Sequence, residues 1–316
     1  MIGVILNPNA ENNRNGKIDR DRLESIVKDY GIFRETKDKD QSIKDALMEF
    51  KEANVSTITP IGGDGTMYHL LEALVKIYNL DENPSDKLPT LMPIKAGSIN
   101  MTANTLNKLK DPYKILQFVI DHKKSGKELN SIGIKPLQVG ATNPKFGFVF
   151  TQGITYKFLE RYYDNFQEVD ENKAWKMLRK GYLNKSYREE FFDIQDFSVC
   201  VNGGIEYANI LLASVIKPKI NFGKFSFEPF KELNSELYLG YGKINSNMAR
   251  NLMWSMIFGK KSNNIKYLEN VKNFMTYAIK PDNKHYFSLD GELIDGLSTI
   301  IPIKRADFYI KLGPLI

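Results

Sequence analysis

Five residues first demand a chemical explanation. Gly62-Gly63-Asp64-Gly65-Thr66 stand between a β-branched run, VSTITPI, and a helical pattern, MYHLLEALVKIY. A strand-to-helix loop offers backbone N–H groups and the positive end of a helix, and both attract phosphate. Glycine lets the backbone approach a polyphosphate and adopt positive φ. Asp64 would repel phosphate, so it makes sense if Mg2+, the usual divalent partner of nucleotide phosphates, lies between them. The plainer alternative is a turn closed by an Asx hydrogen bond. Two further strings carry candidate chemistry. Asn7-Pro8-Asn9-Ala10 directly follows the first strand-like run, and Asp290-Gly291-Glu292 follows the strand-like HYFSL. Glu292 is a carboxylate that could orient or deprotonate an attacking hydroxyl, as phosphoryl transfer requires. A hairpin turn with exposed acids is the plainer alternative there.

Other site chemistries find little support. Neither GxxxxGK[ST] nor a GxGxxG after the first strand is present. The three histidines, His69, His122 and His285, have no metal-ligand spacing and no partnered nucleophile, which argues against zinc and histidine catalysis. Cys200 is alone, so an internal disulfide is impossible and a reducing compartment is expected.

The elements that must position these residues follow a regular order. IGVIL, IFRET, VSTITPI and TLMPI read as strands; RDRLESIVKDYG, QSIKDALMEFKEA, MYHLLEALVKIY and INMTANTLNKL read as the helices between and after them. This alternation predicts a doubly wound parallel sheet with helices on both faces, and ligands beyond the carboxyl ends of its strands. After about residue 125 the pattern becomes β-rich with turn signals, which predicts an antiparallel β-sandwich domain interrupted by helices. The expected division is a nucleotide-binding α/β domain over 1–125, completed by 296–316, and a β-rich substrate domain over 126–295.

Taken together, the strings resemble the diacylglycerol kinase-like lipid kinases. GGDGT is shared with NAD kinases, but Asn7-Pro8-Asn9 resembles the lipid kinases' NPxxG opening and Asp290-Gly291-Glu292 their DGE. PIKAGSINMTANTL resembles a further family stretch, with Gly97, Ser98, Asn100 and Ala103 matching. The resemblance implies an ATP- and Mg2+-dependent lipid kinase, with its lipid site between an α/β and a β-sandwich domain. It implies nucleotide contacts at Asn7, Pro8, Asn9, Thr36, Gly62, Gly63, Asp64, Gly65, Thr66 and Ser98. Asp64 and Glu292 become the catalytic pair, with Asp64 directed to Mg2+ through the ATP phosphates and Glu292 as base toward the lipid hydroxyl. The acceptor could be diacylglycerol or a ceramide- or sphingoid-type lipid. Two departures limit the carry-over. Met101 stands where many members have aspartate, and the stretch IKPKINFGKFSFEPF lacks the aspartate pair that holds a structural Mg2+ in soluble bacterial members. An NAD kinase, or an inactive nucleotide- or lipid-binding module, are the alternatives.

Composition fits this picture. The chain has 316 residues, 42% hydrophobic and 26% charged, as a globular protein has. No apolar run approaches the length of a membrane span, and the first residues lack a signal-peptide pattern, so a cytoplasmic, peripherally membrane-associated protein is expected. The net charge of +6 falls entirely after residue 124, which suggests an anionic partner for that part. Lys173–Arg188 holds six Lys/Arg and no acid, interleaved with Trp175, Met177, Leu178, Tyr182 and Leu183. That mix suits an amphipathic helix lying in an anionic membrane surface, and the plainer alternative is a helix covering the core of the β domain. NMARNLMWSMIFGKK is a second such candidate, and no nucleic-acid motif accompanies either.

Overall fold

The computed structural model describes residues 1–36, 41–82, 88–97, 100–106, 109, 111–164, 171–191, 196–222, 225–231, 233–257, 262–269, 271–279, 285–295 and 299–313. The chain divides into two units, residues 1–136 with 306–316, and residues 137–305.

Unit 1 begins with β1 (Ile2–Leu6), α1 (Glu11–Arg14), α2 (Arg20–Val27), β2 (Gly31–Glu35), α3 (Gln41–Glu52), β3 (Thr57–Gly62) and α4 (Asp64–Tyr78). It continues with β4 (Thr90–Leu91), β5 (Ile94–Lys95), α5 (Met101–Leu106), α6 (Pro112–Lys124) and β6 (Ile132–Ile134). The expected fourth strand is thus two short pieces, separated at Met92-Pro93, where proline cannot donate to a ladder. The helix after the glycine string starts three residues earlier than its apolar pattern, at Asp64 inside the string.

Strands β1, β2, β3, β4 and β5 pair in parallel, in the order β2-β1-β3-β4 with β5 also against β3. The chain leaves β1 for β2 on one side and returns to β3 on the other. The topological switch, where such sheets bind ligands, therefore lies between β1 and β3.

Both faces of β1 are covered, for a reason visible in its alternation. Ile2, Val4 and Leu6 pack with Leu23 and Val27 of α2 and Ile115, Leu116, Val119 and Ile120 of α6. Gly3 points the other way, where the fully buried ring of Phe50 from α3 occupies the space of its missing side chain. A Cβ on Gly3 would stand 2.5 Å from that ring.

Unit 2 comprises β7 (Leu137–Val139), β8 (Lys145–Gly147), β9 (Val149–Gly153), α7 (Ile154–Asp164), α8 (Glu171–Leu183), α9 (Lys185–Glu189), β10 (Phe197–Val201) and β11 (Gly204–Ala208). It goes on through β12 (Ile210–Ser214), β13 (Ile220–Phe222), β14 (Phe225–Phe227), β15 (Tyr238–Gly242), α10 (Ser246–Ile257), β16 (Lys266–Leu268), β17 (Asn273–Ala278), β18 (Phe287–Leu289), β19 (Glu292–Ile294) and β20 (Ile300–Arg305). Among the described residues these strands form two antiparallel sheets, β11-β10-β17-β20-β7-β8 and β16-β15-β12-β9-β18-β19, and a separate β13–β14 hairpin. The sheets meet where Phe150 of one packs edge-on against Phe274 of the other, with Phe287 stacked on Phe150.

The chain then returns to unit 1 as β21 (Ile310–Leu312), parallel to β4 and antiparallel to β6. Strand pairing sets these borders. Residues 132–134 pair within unit 1, whereas 300–305 pair with β17 and β7 of unit 2.

Because α3 packs through Phe50 onto a glycine, Gly3→Ala should cost about 1–3 kcal/mol by overpacking. Phe50→Ala should cost about 3–5 kcal/mol by leaving a cavity. Denaturant titrations of the two variants check both values.

Candidate active site

Three loops at the carboxyl ends of β1, β3 and β5 are fastened to one another by side chains and backbone. Asn7 opens the first. Its side-chain oxygen accepts from the Asn9 N–H at 3.0 Å, closing an Asx turn around Pro8. Its amide nitrogen donates to Thr66 Oγ1 at 2.9 Å, in the first turn of α4. Asn13 donates to the Asn7 carbonyl at 2.6 Å, and the Asn12 N–H donates to the Ala96 carbonyl at 2.8 Å. The Ala96 N–H in turn donates to the Gly62 carbonyl at 2.9 Å. Thr36 closes the row, its N–H donating to the Leu6 carbonyl at 2.9 Å from the end of β2.

Asp64 is the centre of this arrangement. It is 9% exposed, and its two carboxylate oxygens accept backbone N–H bonds from Met101 at 2.9 Å and Thr102 at 3.1 Å. It thus caps α5 from a different element, using acceptors where a helix start has free donors. Burial pushes the Asp64 carboxyl above the ordinary carboxylate range, while the Thr102 and Met101 N–H groups pull it down. Met101 takes part through its backbone, so the contact is indifferent to its departure from the family's aspartate.

The glycines play a different part from the one expected of them. Gly63 has φ −98°, Gly62 is in a strand and Gly65 in a helix, and none of the string is among the positive-φ residues. What excludes side chains is close approach. A Cβ on Gly62 would stand 2.2 Å from Thr66 Oγ1, and one on Gly97 would stand 2.5 Å from the Gly63 Cα. The two loops therefore touch backbone to backbone. Asn100, with φ +52°, completes the second loop by accepting from the Gly97 N–H at 2.9 Å and donating to the Gly97 carbonyl.

The N–H groups of Asp64 and Gly65, in the first turn of α4, have no acceptor inside the helix, which suits a phosphate. A Mg2+ ion fits Asp64 only in a limited way. Its oxygens already accept the Met101 and Thr102 N–H groups, and the Thr102 hydroxyl and Asn100 N–H also favour its charged form. Among the described residues no group of three His, Cys, Asp or Glu could cage a metal. An ion there would be held mostly by phosphate and water, as Mg2+ commonly is.

Glu292 belongs to unit 2, where Asp290 and Gly291 form the two-residue turn between β18 and β19. Their φ values, +49° and +84°, are those of a type I′ hairpin, which Asp-Gly favours. Asp290 is fully buried, and its carboxylate accepts from the N–H groups of Phe148 at 3.0 Å and Val149 at 2.8 Å. The turn that presents Glu292 is thereby pinned to the start of β9. Gly147 leaves room for it, since a Cβ there would meet Asp290 Oδ2 at 2.8 Å.

Ser98 lies outside the described residues. Asn13 and Asn100 are the contributors that sequence reading left out of the site. Asn100 was visible within the string around Gly97, and Asn13 only as one asparagine in a loop rich in them. His285 is buried, with its ring nitrogens 2.8 Å from Gln152 Nε2 and from the Thr299 carbonyl. Burial holds it below the ordinary imidazole value, so it is a neutral structural group.

The fold is that of diacylglycerol kinase- and NAD kinase-like proteins, a parallel α/β unit with an antiparallel β unit. A family model of the diacylglycerol kinase catalytic domain matches residues 1–131. A crystal structure of a diacylglycerol kinase from Bacillus anthracis str. Sterne is similar over 99% of this chain and 97% of its own, with TM-score 0.59 and 15% identity. Two further structures from the same organism, provisionally described as diacylglycerol kinases, have TM-score 0.63 at 13% and 15% identity. Each covers 99% of this chain, with 97% and 96% of its own length matched. At such identities the likeness is one of fold. No curated protein matches the chain in sequence.

Two outcomes follow from the buried groups. Asp290→Ala strands two buried N–H donors and should cost about 3 kcal/mol, read by denaturant titration. His285 has a folded pKa below its unfolded value, so its contribution is complete at neutral pH. Stability should fall as pH drops below about 6.5, where only the unfolded state readily takes the proton. His285→Gln should flatten that part of the stability–pH curve.

Proposed function

We propose that the protein is an ATP-dependent lipid kinase that phosphorylates a hydroxyl of diacylglycerol or of a ceramide- or sphingoid-type lipid. The observation that carries this reading is the latch at the topological switch. Asp64 joins the glycine string to α5, and Asn7 joins the β1 loop to Thr66. A rigid loop set at that place suits a nucleotide's phosphates. The catalytic-domain match over residues 1–131 supports the same class.

Asn7, Pro8, Asn9, Thr36, Gly62–Thr66 and Ser98 would hold ATP, with the N–H groups at the start of α4 toward its phosphates. Mg2+ would supply charge neutralisation at the phosphates, next to Asp64. The lipid hydroxyl oxygen attacks the γ-phosphorus and passes its proton to Glu292. The bond from that phosphorus to the β–γ bridging oxygen breaks, and ADP leaves. Asp290 fixes the hairpin on which Glu292 stands. The reaction would take place at the cytoplasmic face of an anionic membrane, with the protein peripherally bound. Among the described residues no helix is long and apolar enough to cross a membrane.

Incubation with γ-labelled ATP, Mg2+ and a panel of dispersed lipids should transfer label to one lipid class. Glu292→Gln should lower kcat by about 10²–10⁴-fold with ATP binding retained. Unchanged turnover in that variant would remove Glu292 from the mechanism. ATP binding without ADP release across the panel would mark an inactive module, and NADP formed from NAD would mark an NAD kinase.

A further inference from the structure

We propose that α7 is a second support of the hairpin that carries Glu292, and that Tyr163 is its positioning residue. The proposal deepens the lipid-kinase reading and rests on it for the role of Glu292, while the support itself stands on contacts within unit 2.

The hairpin needs more than its own pairing. β19 has three residues and ends its sheet, with β18 as its strand neighbour on one side only. Such an edge opens more readily than the centre of a sheet. Asp290 anchors the β18 side of the turn through its carboxylate, and through its own N–H, which donates to the Val149 carbonyl at 2.8 Å. Neither contact reaches the peptide that joins Gly291 to Glu292.

That peptide is held from α7. The Tyr163 hydroxyl donates to the Gly291 carbonyl at 3.1 Å. Across the same plane the Glu292 N–H points into the ladder, where Glu292 pairs with Leu289 over the two-residue turn. A planar peptide held at both its oxygen and its N–H keeps one orientation. It thereby sets the direction in which the Glu292 side chain leaves the turn.

α7 lies along the hairpin rather than touching it once. Tyr156 and Tyr163 are about two turns apart and share one stripe of the helix. The Tyr156 ring stands 5.7 Å from that of Tyr286, just before β18, while Tyr163 meets the tip. The opposite stripe of α7 is fixed to the rest of the unit. Phe158 and Tyr162 pack in a cluster with Met177, Leu178, Phe191 and Phe227. Arg161 pairs with Glu190 and lies over the Phe191 ring. The Tyr163 hydroxyl therefore reaches Gly291 from a clamped helix. Tyr163 itself is 41% exposed, so its hydroxyl can be removed without opening the core.

Tyr163→Phe removes that hydroxyl and keeps the ring. In the full chain, hydrogen exchange should show the Glu292 amide losing protection by about 2–10-fold. The melting temperature should fall by no more than about 3 °C. Turnover is measured with γ-labelled ATP, Mg2+ and diacylglycerol, ceramide or a sphingoid base, each dispersed in non-ionic detergent. With the lipid that takes the label, kcat should fall by about 3–10-fold while KM for ATP stays within about twofold. In the Glu292→Gln background the same substitution should change kcat by less than about 1.5-fold, because Tyr163 acts through the carboxylate it positions. Unchanged protection at Glu292, unchanged kcat, or the same fold loss in both backgrounds would each overturn the proposal. If the wild type transfers no phosphate to any of these lipids, the kinase reading is refuted. Loss of Glu292 protection in Tyr163→Phe would then still uphold α7 as the hairpin's support, and unchanged protection would overturn it.

Discussion

The arrangement at the switch point depends on one buried carboxylate meeting two backbone donors. Asp64 brings negative charge into a place where burial opposes ionisation, and the N–H groups of Met101 and Thr102 offset that cost. The contact fixes the start of α4 against the start of α5, because Asp64 is the first residue of one helix and caps the other. The glycines follow from it. Once the two helix starts are drawn together, Gly97 passes the Gly63 backbone so closely that it has no room for a Cβ. The Asn7–Thr66 bond then ties the β1 loop to the same helix turn.

Unit 2 solves a similar problem in the same way. The Asp290 carboxylate takes the N–H groups of two consecutive residues, Phe148 and Val149, where β8 gives way to β9. Donors left without a ladder partner at that break are satisfied by the residue that also starts the hairpin turn. In both units an aspartate next to glycine does structural work in a loop whose residue types also suit chemistry. The two roles are compatible. A rigid carboxylate or a rigid turn is what a phosphoryl-transfer site needs, since such catalysis rests on positioning more than on covalent chemistry.

How far the sequence could be read depended on how local each cause was. The parallel unit was legible because its strands and helices repeat apolar residues at regular spacing, as in Ile2, Val4 and Leu6 or Ile43, Leu47 and Phe50. The turn at Asp290-Gly291 was legible as a turn because Asp-Gly encodes type I′ geometry by itself. The latch was not legible, because Asp64 and the N–H groups of residues 101 and 102 are neighbours only after β4 and β5 align beside β3. The reason for the glycines was misread on the same account, since close approach of two loops leaves no mark in either loop alone. Asn13, which donates to carbonyls of both Asn7 and Ile61, was hidden likewise.

The basic segment at 173–188 shows a different limit. Its composition identified an amphipathic helix, and the structure contains one, yet composition cannot say which side faces inward. An apolar stripe suits a membrane and a protein core equally well, and here the core has it through Met177 and Leu178. Even the cations divide. Arg188 spends its charge-assisted bonds on the carbonyls that end α8, whereas Lys176 and Arg179 remain in solvent. The Arg188 guanidinium thereby ties the end of α8 to the start of α10. Composition therefore located the helix, and only the packing of Met177 and Leu178 decided which side of it meets the protein.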